Sequence, residues 1–174
     1  MKAITASTVQ SILRELADSE PGEWVLLGGA LVLACEASKR ATFDIDLGRA
    51  DTAELFTPFG LVALAEKYGL PIEAINQSVN YYLHKIDFRP FLIPWIKGQK
   101  STIFRPHFAL FLELKLARLS VSDAEDLIAY AKKFPDEVTL TPNRVEKIRA
   151  THGHKQGWSH LATFLNTLSD TQIG

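Results

Sequence analysis

The stretch that decides the fold is Trp24-Val25-Leu26-Leu27-Gly28-Gly29-Ala30-Leu31, followed after a short gap by Thr42-Phe43-Asp44-Ile45-Asp46-Leu47. The first part is a short apolar run suited to a buried strand, ended by a double glycine. Ala30 to Cys35 then reads as a short buried helix. The second part alternates, with Phe43, Ile45 and Leu47 on one face and Asp44 and Asp46 on the other. It reads as a strand from Thr42 to Leu47.

Two carboxylates at i and i+2 on a strand leave the backbone on one side, roughly 6–7 Å apart at the root. Their like charges repel, and a hard divalent cation removes the repulsion. Mg²⁺ takes oxygen ligands and is usually held by one or two carboxylates plus substrate phosphates. The competing reading is a strand with one solvated face. The double glycine also has two readings. Its backbone N–H groups can approach a phosphate at a helix start, or the turn simply needs glycine dihedrals.

Working outward, Val9, Ile12, Leu13 and Leu16 repeat at helical spacing behind Ser7, which can cap that helix. Thr57-Pro58 suits the start of another, carrying Leu61, Leu64, Ala65 and Tyr68 and stopping at Gly69. Tyr81 to Phe88, Phe91 to Ile96 and Ser101 to Phe104 read as strands. Pro90, Pro94 and Pro106 place at least one of them at an edge. His107 to Leu119 reads as an apolar helix. Ser122 and Glu125 suggest a capping box for the next, which stops near Phe134-Pro135. Thr141-Pro142 opens a further helix, Thr151 to Gly157 reads as a loop, and Leu161, Phe164, Leu165 and Leu168 mark a last helix.

The fold class is therefore mixed α/β, a small mixed sheet with flanking helices plus C-terminal helices. The expected division is an α/β core over 1–106 and a helical region over 107–174 packed on it as one structural unit. The 174 residues fit one such domain with a helical extension. The single cysteine, Cys35, excludes an internal disulfide and fits a reducing cytoplasm. The start of the chain lacks the apolar run of a signal peptide, and no stretch reaches the roughly 18 apolar residues of a membrane span. A net charge of −1 argues against a general nucleic-acid binder, so any nucleic-acid contact must come from a local patch.

Leu27-Gly28-Gly29-Ala30-Leu31, followed by Arg40-Ala41-Thr42-Phe43-Asp44-Ile45-Asp46-Leu47, resembles the nucleotidyltransferase superfamily that includes DNA polymerase beta. The closer resemblance is to its bacterial branch of uncharacterised and toxin-like members, the type IV abortive-infection toxins among them. Fourteen residues separate Gly29 from Asp44, longer than the tightest form of the superfamily motif but suited to this branch. The resemblance implies that Gly28 and Gly29 hold a nucleoside triphosphate, that Asp44 and Asp46 bind Mg²⁺ or Mn²⁺, and that Arg40 and Thr42 shape the site. It also implies a toxin–antitoxin role, with an antitoxin as partner.

A second block, Phe111-Leu112-Glu113-Leu114-Lys115-Leu116-Ala117-Arg118 before Ser122-Asp123-Ala124-Glu125-Asp126-Leu127, is similar to a segment of the same branch. Lys115 and Arg118 share a helix face. One reading makes them nucleotide-binding residues, Lys115 on the triphosphate and oriented by Asp126. The other makes them half of a salt-bridged helix pair, with Asp123 and Asp126 also complementing a helix dipole. Asn76, in Gly69-Leu70-Pro71-Ile72-Glu73-Ala74-Ile75-Asn76, either faces the site or holds a turn.

Polymerase-like members usually add a third carboxylate from a later strand, and Asp87 is the candidate here. The expected activity is transfer of a nucleotidyl group from a nucleoside triphosphate to a hydroxyl of RNA or protein. The alternative is a module that binds nucleotide or a partner without turnover. A phosphohydrolase using the same aspartates lacks a recognisable nucleophile. His152, His154 and His160 read as a solvated loop rather than a zinc site, because no fitting Cys or carboxylate joins them. Cys35 and Trp24 read as core, and Trp95 and Trp158 stay open between core and a base-stacking platform.

Overall fold

The computed structural model describes residues 4–54 and 59–171, and of 168–171 the backbone alone. These residues form two compact units, the first reaching His107 and the second starting at Phe108.

The first unit is built on a five-stranded mixed sheet in the order β3-β2-β1-β5-β4. Its strands are β1 (Gly22–Leu27), β2 (Ile45–Arg49), β3 (Ile75–Asn76), β4 (Leu92–Lys97) and β5 (Ser101–Pro106). β1 pairs antiparallel with β2 and parallel with β5, whereas β2 and β3 run parallel. Trp24 to Leu27 are all buried, as expected of a central strand covered on both faces. β4 is an edge strand paired only with β5, and its register shifts between Pro94 and Ile96. Proline donates no ladder hydrogen bond, and an edge tolerates it.

Helix α1 (Ala6–Ser19) buries Val9, Ile12, Leu13 and Leu16, the stripe its spacing predicts. Its cap is Thr5, not Ser7: the Thr5 hydroxyl accepts the Thr8 N–H at 3.2 Å. Helix α2 (Gly28–Ala34) begins at the double glycine itself, and α3 (Phe59–Lys67) buries Leu61, Leu64 and Ala65. The expected Thr57-Pro58 helix start lies outside the described residues.

Two expectations in this unit are corrected. The strand expected over Thr42 to Leu47 begins only at Ile45. Thr42 makes an isolated bridge to Ile4, and Phe43 is 52% exposed rather than sharing the buried face of Ile45 and Leu47. The strand expected over Tyr81 to Phe88 is instead the single helical turn α4 (Asn80–Leu83) followed by an irregular stretch. Asn80 accounts for this: its Oδ1 accepts the Arg49 N–H at 2.8 Å and its Nδ2 donates to the Thr52 carbonyl at 3.3 Å. Leu83, at i+3, then packs on Gly48 of β2, where an added Cβ would lie 2.8 Å from Leu83 Cδ2. The period of three was masked by the two exposed tyrosines between them.

The second unit is helical, with α5 (Phe108–Leu116), α6 (Val121–Lys133), α7 (Pro142–His152) and α8 (Trp158–Thr171). Phe111 of α5 packs on Tyr130 of α6 with ring centroids 4.7 Å apart. Leu161 and Leu165 of α8 are buried, and Thr141 caps α7 before Pro142. The capping box of α6 is Ser120 with Asp123, two residues earlier than expected: Ser120 Oγ accepts the Asp123 N–H at 3.2 Å, and Asp123 Oδ2 accepts the Ser120 N–H at 3.0 Å. The stretch expected as a loop from Thr151 continues α7 as far as His152.

Among the described residues, no helix is long and apolar enough to cross a membrane.

Candidate functional site

The first unit brings six of the expected site residues together. Leu27, the last residue of β1, lies opposite Asp46 in the antiparallel register. The chain then turns at Gly28 with φ +68°, a left-handed conformation that favours glycine. A Cβ built on Gly28 would sit 2.1 Å from Asp46 Oδ2. The Asp46 carboxylate therefore rests against the bare backbone of the turn.

Gly29, one residue on, faces the other members. An added Cβ there would be 3.3 Å from Arg40 Nη2 and 3.4 Å from Thr42 Oγ1. Thr42 is 7% exposed and is fixed by the Ile4 N–H, which donates to its carbonyl at 3.0 Å. Its hydroxyl lies 3.1 Å from Asp44 Oδ1 and 3.2 Å from the Asp44 carbonyl. The contacts thus run from Asp46 to Gly28, through Gly29 to Arg40 and Thr42, and on to Asp44. Asp46 touches the glycine bend directly, whereas Asp44 is joined to it through Thr42. Asp44 is exposed and Asp46 half-buried, so the site opens to solvent.

The donor set is two carboxylates, Asp46 on β2 and Asp44 one residue before the strand, beside a Gly28 backbone whose side-chain space the Asp46 carboxylate occupies. Hard carboxylate oxygens fit Mg²⁺ or Mn²⁺ rather than a soft metal. Among the described residues, no three His, Cys, Asp or Glu side chains gather as metal ligands. Asp87 is exposed on the irregular stretch after α4, and the strand expected to present it is not there. Asn76 lies opposite Asp46 on β3 and also holds a turn, its Oδ1 accepting the Ser78 N–H at 3.0 Å. The turn reading of Asn76 is the one its side-chain bonds show.

At the other end of β2 a cavity of about 410 Å³ is lined by Trp24, Arg49, Asp51 and Thr52 with Glu20 and Glu54. The Arg49 guanidinium stands over the Trp24 ring at 4.5 Å and makes paired hydrogen bonds to Asp51 at 2.8 and 2.6 Å. Those bonds hold the Asp51 carboxyl below its ordinary range. Trp24 is core, as expected.

Lys115, Arg118 and Asp126 belong to the second unit, where they form an ion network around Asp123. Lys115 Nζ donates to Asp123 Oδ1 and Asp126 Oδ2, both at 2.8 Å. Arg118 donates to both Asp123 oxygens, at 2.7 and 2.8 Å. Asp123 and Asp126 are 1% and 2% exposed, so these charges are out of water and need their partners. Burial alone would raise the Asp123 carboxyl, but the bonds from Arg118, Lys115 and Ser120 outweigh it and hold the group far below the usual carboxylate range. The salt-bridged helix pair of the sequence reading is thus present, with Lys115 engaged by both aspartates. Sequence reading took Asp123 for a dipole partner and missed it as the hub. The Ser120-x-x-Asp123 spacing was the available signal.

No protein-family model, curated protein or solved structure matches the chain.

Proposed function

We propose that the chain is a Mg²⁺- or Mn²⁺-dependent nucleotidyltransferase that moves a nucleotidyl group from a nucleoside triphosphate to a hydroxyl of RNA or protein. The observation that carries this reading is the meeting of Asp46 with the bare backbone of Gly28, with Asp44 tied through Thr42 to Gly29 next door. Asp44 and Asp46 would hold the cation. Bound there, a divalent ion supplies charge neutralisation at the phosphates and lowers the barrier to in-line attack. Gly28 and Gly29 let phosphate oxygens approach the main chain. Arg40, whose guanidinium lies beside Gly29, would add positive charge next to the bend. Thr42, bonded to Asp44, would hold that carboxylate next to the bend.

Lys115, with Asp126 and Arg118, enters this reading only through the sequence resemblance. Its ties to two buried aspartates support a structural role first. The toxin role and an antitoxin partner likewise rest on resemblance alone.

The test is incubation with each α-labelled ribonucleoside triphosphate, Mg²⁺ and either total RNA or a protein extract. The reading expects labelled RNA or protein with at least one nucleotide, abolished in Asp46→Asn. Folded protein that transfers none of the four argues against it. A second reading, a module that binds nucleotide without turnover, is favoured by the neutral Asn76 beside Asp46. Binding without transfer would select it.

A further inference from the structure

The cavity of about 410 Å³ at the far end of β2 is separate from the aspartate site. Arg49, which lines it, stands three residues beyond Asp46 on the same strand, so the two side chains leave opposite faces of the sheet. The volume lies within the range of small-molecule sites, roughly 300–1,000 Å³. The lining carries three carboxylates, Glu20, Asp51 and Glu54, against one guanidinium, that of Arg49. Asp51 is committed to Arg49 by two hydrogen bonds. Glu20 is not committed. Its side chain has no hydrogen bond or ion pair among the described residues. It is half-buried and rests against Gly60, where an added Cβ would lie 2.0 Å from Glu20 Oε1. A second, independent observation comes from the cavity wall. Trp24 lines the same space and is 0% exposed, and its Nε1–H has no acceptor among the described residues. A buried donor left unpaired is costly and uncommon.

We propose that this cavity binds a small organic ammonium compound that also carries a carbonyl or hydroxyl oxygen. The ammonium group pairs with the Glu20 carboxylate, and Glu54 adds negative charge at the exposed rim. The ligand oxygen accepts the Trp24 Nε1–H. The excess of carboxylates over guanidinium disfavours an anion. A divalent metal ion is disfavoured for two reasons. Among the described residues no three acidic side chains gather around one point, and the Arg49 guanidinium stands among the carboxylates. An extended organic cation spans the separation that a single ion cannot. The proposal is independent of the nucleotidyltransferase reading, since it uses none of Asp44, Asp46, Gly28 and Gly29.

The full ¹⁵N-labelled chain is titrated with δ-aminovaleramide, which carries one ammonium group and one carbonyl, following the indole N–H resonances. Hexanamide, of the same length with a methyl in place of the ammonium, and hexylamine, charged but without oxygen, are the controls. The chain has three tryptophans, so Trp95→Phe and Trp158→Phe each lose one resonance and leave the third to Trp24. Expected is saturable binding of δ-aminovaleramide that moves the Trp24 resonance downfield. Hexylamine binds without that shift, and hexanamide does not bind. Glu20→Gln, with its fold checked by thermal melting, binds δ-aminovaleramide about tenfold more weakly. A Trp24 resonance that stays in place at millimolar δ-aminovaleramide overturns the proposal. So does hexanamide binding as well as the amine, or unchanged affinity in Glu20→Gln. Mg²⁺ that produces the same shift in place of the amine marks a metal site and also overturns it. Each of these results leaves the transferase reading untouched.

Discussion

Asp46 Oδ2 occupies the space where a side chain on Gly28 would begin, 2.1 Å from the position of the absent Cβ. Gly28 also carries φ +68°, so two independent demands fall on one residue. The turn needs a left-handed backbone, and the carboxylate needs the room. An invading methyl would push Asp46 out of its place and take the main chain away from any phosphate.

Gly69 separates the two demands. It has φ +65°, and nothing lies within 4 Å of its added Cβ. Gly69→Ala therefore carries the backbone cost alone, about 1–2 kcal/mol. Gly28→Ala carries that cost plus the displacement of Asp46, and should lose about 1–3 kcal/mol more. Urea unfolding of the two variants measures the difference. Equal losses would mean that Asp46 does not press on the turn.

Thr42 holds Asp44 through one hydroxyl, 3.1 Å from Oδ1. Thr42→Val keeps the shape and removes the hydrogen bond, at a cost of about 1 kcal/mol to stability. The Asp44 carboxylate then loses its tether, and Mn²⁺ affinity in the presence of triphosphate analogue should fall several-fold. Unchanged affinity would show that Asp44 is oriented by something other than Thr42.

Asp123 predicts an acid-sensitive second unit. Its folded-state carboxyl is held below the unfolded value by Arg118, Lys115 and Ser120 against the opposing effect of burial. A carboxyl depressed on folding contributes stability that is complete above its unfolded value near 4 and is lost as pH falls toward the folded value. Wild type should therefore lose stability steadily below about pH 5. Asp123→Asn should lose about 2–4 kcal/mol at neutral pH, since Lys115 and Arg118 are left under-compensated. Its stability should also depend less on pH in the acid range. Parallel acid-unfolding curves for the two proteins would contradict this.

Much of this was legible in the sequence, and the failures share a cause. The buried β1, the glycine bend and the heptad-like stripe of α1 announce themselves because apolar spacing is local information. The meeting of Arg40 and Thr42 at Gly29, with Asp44 bonded to Thr42, is accessible only through the motif as a whole, since no single residue encodes it. The segment from Tyr81 to Phe88 misled because Tyr81 and Tyr82 are β-favouring residues left on the surface. Asn80 and Leu83, which decide the turn, act through contacts with β2 that no local pattern displays. Phe43 misleads for a similar reason: the alternation from Thr42 runs three residues ahead of the strand's start at Ile45.

The α6 cap offers a compact check on that point. Both Ser120 and Ser122 have an acidic residue three positions on, Asp123 and Glu125, but only Ser120 completes the reciprocal bonds. Ser120→Ala should cost about 1–2 kcal/mol, whereas Ser122→Ala should change stability by only about a few tenths, since the higher helix propensity of alanine offsets the lost contact with Ser120. Thermal melting separates the two.

The central claim is that Asp44 and Asp46 hold a cation against the Gly28-Gly29 bend for a triphosphate. Calorimetric titration of each ribonucleoside triphosphate with Mg²⁺ into wild type, Asp44→Asn and Asp46→Asn tests it most directly. Saturable binding of at least one nucleotide to wild type is predicted, lost in both variants while their melting stays unchanged. Folded wild type that binds none of the four, or variants that bind as well as wild type, would contradict it.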